Sequence, residues 1–280
     1  MDVGPLRDVV TVVLGLATGT LSGLFGVGGG VISQPGMRLL GLVPLTTIGT
    51  ALPVIIPGAT AGAWRYAREG LIHWSAAAAT IPAGVVAAVA GGLVAEHVPG
   101  DGHLLQLATA GLLGLSSYRM VRSSRPVAGD EDEPLAETDA PEAPAPAPSG
   151  RRLPERHLLQ RYVGIGLMAG GLSGLLGIGG GVLMVPAFIA LAGLPVKTAI
   201  ATSLVCVGAF AIPGTITHAL QDHVDWRVAA ALVVGVVPGA RLGAALAIRA
   251  TDRRLRVVVA SFLGATAVLY AAGELRSLLG

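Results

Sequence analysis

The chain has 280 residues, 52% of them hydrophobic and only 13% charged, with a mean hydropathy of +0.71, whereas soluble domains carry about 25% charged residues. That imbalance excludes an ordinary soluble fold and makes the lipid bilayer the expected solvent. The net charge of +2 reads as an excess of basic loop residues in a membrane protein rather than as a nucleic-acid surface, so no nucleic-acid partner is expected.

In chain order, residues 1–10 lack the basic region and small-residue cleavage site of a secretory signal, so the first apolar segment is expected to stay in the membrane. Apolar segments then cover residues 9–24, 31–43, 45–64, 74–95 and 104–121. Residues 126–150, rich in proline, alanine and acidic side chains, cannot bury enough apolar surface to offset their ordering entropy and read as a disordered tether. A second series follows at 158–176, 182–194, 198–218, 226–248 and 255–272. The second segment of each series is short for a crossing at about 1.5 Å per residue, and reads either as a half-helix in a re-entrant hairpin or as a short tilted span.

The two series are copies. Residues 21–31 read LSGLFGVGGGV and 172–182 read LSGLLGIGGGV; the same offset aligns Pro35 with Pro186 and Pro44 with Pro195. After a one-residue slip, Thr50 aligns with Thr202, Gly62 with Gly214 and Trp74 with Trp226. The expected organisation is a first transmembrane repeat at 1–121, a cytoplasmic linker at 122–157 and a second transmembrane repeat at 158–280.

Loop charge sets the two copies in opposite orientations. Arg65 and Arg68 outweigh Glu69 after the third segment, whereas Asp222 and Asp225 outweigh Arg227 at the matching place; the next loop carries Glu96 and Asp101 in copy one but Arg249, Arg253, Arg254 and Arg256 in copy two. By the positive-inside rule the copies are inverted, each with an odd number of crossings. Arg119, Arg122 and Arg125 place the linker in the cytoplasm and both termini outside. The fold class is all-α: a polytopic membrane protein of two inverted-topology repeats, about ten helical segments in all.

The glycine runs are the sharpest local signal. Three consecutive glycines, Gly28, Gly29 and Gly30 or Gly179, Gly180 and Gly181, each cost about 1 kcal/mol against alanine in a helix, so a helix should break there. Within a membrane a broken backbone is tolerated only where protein or a cavity satisfies it, and the N-terminus of the next segment then offers an anion site. Breaks at matching places of inverted halves point to a midplane substrate site. The competing reading is close helix packing, for which Gly19, Gly23, Gly170 and Gly174 are the natural candidates. A dinucleotide fingerprint and a P-loop are rejected, because no βαβ context or GK[ST] sequence accompanies the glycines.

Around these runs, Thr50, Thr202 and Ser203 begin matching segments and read equally as substrate-binding hydroxyls or as bonds back to their own helices. Gln34 stands opposite Val185 and distinguishes the two half-sites or bonds within the core. Pro35 and Pro186 support the helix breaks. Arg241, deep in an apolar segment, pairs with an anion or, as favoured here, reaches back to the cytoplasmic interface. His218 reads as an interfacial residue rather than a proton carrier, and Cys206 as a small buried apolar one. No clustered Asp, Glu, His or Cys suggests an enzyme, a metal or a cofactor, so none is expected.

The doubled GLFGVGGG and GLLGIGGG motifs, the following Pro35 and Pro186, and the stretch Ala201-Thr202-Ser203-Leu204 resemble the sulfite exporter TauE/SafE family over residues 10–121 and 158–275. The resemblance implies a permease of the inner cell membrane for sulfite, sulfonates or other small organic anions, with the glycine-rich elements of both halves near the substrate. Copy one departs from the family's Thr-Ser pair with Thr50-Ala51. Expected partners are a small anionic substrate and the bilayer, with a proton or other coupling ion and a homodimer as open alternatives. A passive anion channel is the alternative function, and a membrane-embedded enzyme the less favoured one.

Overall fold

The computed structural model describes residues 5–95, 155–279 and, between them, 110, 111, 114, 115, 117 and 118. Among the described residues every regular element is helical. The first repeat gives α1 (Pro5–Phe25), α2 (Gly30–Leu39), α3 (Pro44–Arg68) and α4 (Trp74–Ala95). The second gives α5 (Glu155–Leu176), α6 (Gly181–Ala192), α7 (Val196–Leu220), α8 (Trp226–Arg249) and α9 (Asp252–Leu279). Five of these helices, α1, α3, α4, α7 and α8, contain stretches long and apolar enough to cross a membrane. Helix α5 begins at Glu155, so residues 155–157, expected in the linker, belong to the second repeat. The rest of the expected linker and most of the segment 104–121 lie outside the described residues.

Local chemistry sets the helix starts. Pro44 opens α3 at a position where a missing N–H costs nothing, and the Asp225 carboxylate accepts from the N–H groups of Arg227 and Val228, both at 3.1 Å, to cap α8. Internal prolines in α3, α4, α7 and α8 do not end the helices, because bilayer helices can re-satisfy the freed carbonyls against neighbours.

Small residues weld the repeats together. Gly15, Gly19 and Gly23 of α1 lie against the backbone of Leu232, Val236 and Ala240 of α8, and Gly235, Gly239 and Gly243 return the contact to α1. The second seam repeats this: Gly166, Gly170 and Gly174 of α5 press on Thr80, Gly84 and Ala88 of α4. In lipid no hydrophobic force drives helices together, so backbone approach of this kind supplies the packing attraction. A Cβ at these glycines would strike backbone atoms, which explains their four-residue spacing.

The same contacts fix direction. Residue numbers rise together along α1 and α8 and along α5 and α4, so each pair is parallel. Gly58 lies against Val236, and Gly62 reaches Leu204 and Ala240, while Gly208 meets Ala59 and Gly214 meets Leu52. Helix α3 is therefore parallel to α8 and antiparallel to α7, its own counterpart in the second repeat. Equivalent helices running oppositely is the relation that inverted repeats produce. Between them α1, α8, α3, α7, α4 and α5 form a continuous row by successive packing.

The short helices run back along their predecessors. Gly36 of α2 sits on Leu14, and Arg7 donates to the Leu40 carbonyl at 3.1 Å; in the second repeat Arg161 donates to Leu191, the residue matching Leu40. Each α1–α2 or α5–α6 pair is thus a hairpin that returns to its own face. Helix α2, with 10 residues, covers about 15 Å, half of a hydrocarbon core of about 30 Å. The second segments are therefore half-helices within hairpins.

The core centres on these hairpins and the α3–α7 pair, with Phe25, Ile48, Leu52, Ile178, Val182, Ile200 and Val207 at 3% exposure or less. Val13, Val86, Leu93, Val234 and Leu242 instead face outward, as expected where lipid replaces water around the protein.

Candidate functional site

The site is built by the two backbone breaks. Gly26, Gly28 and Gly29 have φ of 71°, 86° and 81°, and their counterparts Gly177, Gly179 and Gly180 have 64°, 83° and 68°. This left-handed sequence costs roughly 1–2 kcal/mol per residue for side chains with a Cβ, and it reverses the chain between a full helix and a half-helix. Gly30 and Gly181 have ordinary φ and are required for another reason: a Cβ on Gly30 would lie 2.5 Å from the Gly177 carbonyl oxygen, and one on Gly181 would strike the Gly26 carbonyl.

The breaks therefore cross in contact. Gly28 and Gly179 face each other, both beside Val207, and Ile55 of α3 also reaches Gly179. Val207 and Ile55 stand near the centres of α7 and α3, which puts the crossing midway through the helical row. Helices α2 and α6 start here from left-handed N-cap residues, Gly29 and Gly180, with no side-chain cap. Among the described residues no protein acceptor takes the backbone N–H groups of Gly28, Gly29, Gly30, Gly179, Gly180 or Gly181. Uncapped N–H groups and the positive ends of two dipoles thus meet at one depth.

Two cross-repeat hydrogen bonds hold the crossing. Gln34, 1% exposed, donates from Nε2 to the Leu176 carbonyl at 2.9 Å. Ser203 donates to the Gly26 carbonyl at 2.9 Å and also approaches Ile200 O at 2.9 Å. Each of these polar side chains thus satisfies a carbonyl at the break of the opposite repeat. Thr50 and Thr202 form a matching outer pair: the Thr50 hydroxyl accepts from Asp225 N at 2.9 Å, and the Thr202 hydroxyl from His73 N at 3.0 Å. Gln34 and Ser203 thus sit at the breaks, while Thr50 and Thr202 hold loop backbone at Asp225 and His73; each of the four has a hydrogen bond to backbone of the opposite repeat.

Other candidates lie differently. Pro35 and Pro186 sit inside α2 and α6, which continue through them; the breaks are made by glycines upstream. The Arg241 guanidinium lies 5.3 Å from the Trp64 ring centroid, away from the crossing residues, and Arg68 covers the same ring at 4.0 Å. His218 departs from its expected interfacial setting: it is fully buried, with its ring 5.8 Å from that of His223. It takes the position matched in repeat one by buried Tyr66, whose hydroxyl donates to the Gly23 carbonyl at 2.8 Å. The apolar run placed this histidine near a helix end, but packing of α7 among its neighbours covers it. Cys206 is free and fully buried, as expected of a small apolar residue.

Sequence reasoning missed Tyr66 and the hydroxyls of Thr18, Ser22 and Ser173. Thr18 and Ser22 lie one turn apart on α1 beside Gly29, and Ser173 is the repeat counterpart of Ser22. The Thr18 and Ser173 hydroxyls are buried without a hydrogen-bond partner. The signal was available in the serine shared by both LSG sequences, Ser22 and Ser173.

Comparison with known proteins agrees with this architecture. Residues 11–270 match the family model described as sulfite exporter TauE/SafE. The chain is 30% identical over 248 residues to a probable membrane transporter protein, YunE, of Bacillus subtilis, covering 85% of this chain and 88% of that one. A probable membrane transporter protein of Xylella fastidiosa is 30% identical, covering 86% and 85%. One from Methanocaldococcus jannaschii is 24% identical, covering 90% and 91%. No solved structure matches. With paired glycine breaks, a helical membrane architecture and a family match across nearly its whole length, the chain belongs to the sulfite exporter TauE/SafE family of multi-pass membrane transporters.

Proposed function

We propose that this protein is a secondary transporter of small anions, such as sulfite, sulfonates or short carboxylates, and that both repeats build one midplane site at the crossed breaks. The observation that carries the reading is the meeting of two uncapped half-helix N-termini whose glycine N–H groups have no protein acceptor among the described residues. Each terminus presents roughly half a positive charge, so together they attract an anion without a buried cation. Thr18, Ser22 and Ser173 add hydroxyls beside the same backbone. Gln34 and Ser203 act on the substrate through the break backbone they hold, and Thr50 and Thr202 brace the loops of the opposite repeat around it.

The face where α3 and α8 end carries Arg65, Arg68, Arg161, Lys197, Arg249, Arg253 and Arg254 against Glu69 and Asp252 among the described side chains. The opposite face has Arg7, Arg38 and Arg227 against Asp8, Asp222 and Asp225. The basic face is the cytoplasmic one in this reading, with the protein in the inner cell membrane and the linker inside.

A thermal-stability screen of detergent-solubilised protein against sulfite, sulfonates, thiosulfate and short carboxylates tests the substrate class, because a ligand of the folded state raises its melting temperature. Gly29→Val, whose Cβ meets first a Thr18 methyl at 3.1 Å, should abolish that shift and transport into liposomes while remaining monodisperse; Gly180→Val should do the same with a larger loss of stability, because its Cβ strikes the Ala169 carbonyl. Folded variants that still bind and transport would refute the site.

A further inference from the structure

The outer face of the α3–α7 pair, turned away from the crossed breaks, holds a groove of about 440 Å³, within the roughly 300–1,000 Å³ range of small-ligand sites. Ile56, Thr60 and Trp64 of α3 line one wall, and Leu204, Gly208 and Ile212 of α7 the other, with Trp74 at one end. The Thr60 hydroxyl is spent on the Ile56 carbonyl at 2.8 Å, so the groove offers an occupant essentially hydrocarbon. Its walls open outward: Trp64, Trp74 and Ile212 are 47%, 63% and 50% exposed.

Charge is concentrated at the tryptophan end. Arg68 and Arg241 approach one ring, that of Trp64, at 4.0 and 5.3 Å. Glu69 pairs instead with Arg65 at 2.7 Å, and among the described residues neither Arg68 nor Arg241 has a carboxylate within ion-pair distance. Two positive charges around one ring repel each other, and an anion beside them offsets that repulsion. An apolar groove continuous with paired guanidiniums and interfacial tryptophans has the chemistry of an amphiphile with an anionic head.

We propose that this groove binds an acidic phospholipid from the leaflet on the Arg-rich face, one acyl chain lying between α3 and α7 and the phosphate paired with Arg68 and Arg241. A second copy of the chain fits less well, since a two-fold contact through this groove would set two pairs of guanidiniums against each other. The bound lipid sits behind the site, because Gly208 lines the groove and its neighbour Val207 touches both breaks.

The test compares wild type, Arg68→Gln/Arg241→Gln, Ala209→Trp, which fills the groove, and Arg249→Gln as a charge control on the same face. Each is purified in detergent, supplied with phosphatidylglycerol or phosphatidylcholine, and measured by native mass spectrometry and thermal melting. Wild type and Arg249→Gln should retain phosphatidylglycerol at least about tenfold over phosphatidylcholine and melt higher with it. The double arginine variant, altered only at exposed side chains, should lose that preference, and Ala209→Trp should lose adducts of both lipids. The proposal is overturned if the double variant keeps the preference, if wild type binds both lipids equally, or if the wild type is a lipid-free dimer that Ala209→Trp dissociates.

Discussion

Gly30→Ala isolates the contact between the two breaks from the conformational freedom of glycine. Position 30 has an ordinary φ and begins α2, so local propensity alone would favour alanine by as much as about 1 kcal/mol. Tertiary contact opposes it. The new Cβ would stand 2.5 Å from the Gly177 carbonyl oxygen and 2.9 Å from the Ile178 Cα, well inside the 3.4 Å where ordinary contact begins, and both obstacles are backbone. Overpacking of this kind costs typically 1–3 kcal/mol, and the opposing break cannot retreat without moving the Gln34 bond to Leu176. The net expectation is a loss of about 1–2 kcal/mol, with the N–H groups of both breaks displaced and anion binding weakened. Gly62→Ala is the comparison: its Cβ would press on the movable end of Leu204 at 3.1 Å and meet the backbone of Ala240 and Gly23 at an ordinary 3.8 Å, so its melting temperature should hold or rise. Thermal unfolding in detergent, with and without the best anion from the screen, measures both. If Gly30→Ala melts and binds as Gly62→Ala does, the crossing does not have the tight geometry on which the site depends.

Thr50→Val and Thr202→Val each remove the acceptor of a backbone N–H with little change of shape, and should each destabilise by about 1–3 kcal/mol in thermal melts; unequal losses would show that the two braces are not equivalent. A cysteine placed near Asp139 in a Cys206→Ala background should be shielded from a membrane-impermeant thiol reagent in intact cells, while one near Asp222 should react, and equal labelling would refute the inverted orientation. Replacing residues 126–149 with a flexible segment of similar length should leave transport in liposomes nearly intact, and loss of transport at normal expression would assign the acidic segment a specific role.

The sequence by itself determined the membrane setting, the duplication, the helical class and the positions of the breaks, because each is written in one dimension. Apolar length reports a hydrocarbon solvent, self-similarity reports a repeated unit, and a run of glycines reports a backbone that cannot continue as a helix. Loop charge also reports opposite orientation, which the antiparallel packing of α3 and α7 matches. What the polar candidates do was not legible, since a threonine or glutamine in an apolar run looks the same whether it binds substrate or backbone. Only the tertiary structure joined Gln34 to Leu176, Ser203 to Gly26, and the two threonines to the loops of the opposite repeat. It also decided that α2 and α6 fold back as half-helices, that His218 is covered, and that Gly30 and Gly181 are glycines for want of space rather than for their φ. Those distinctions depend on which backbone from a distant part of the chain arrives alongside, and a hairpin from one repeat meets the other only when both have folded.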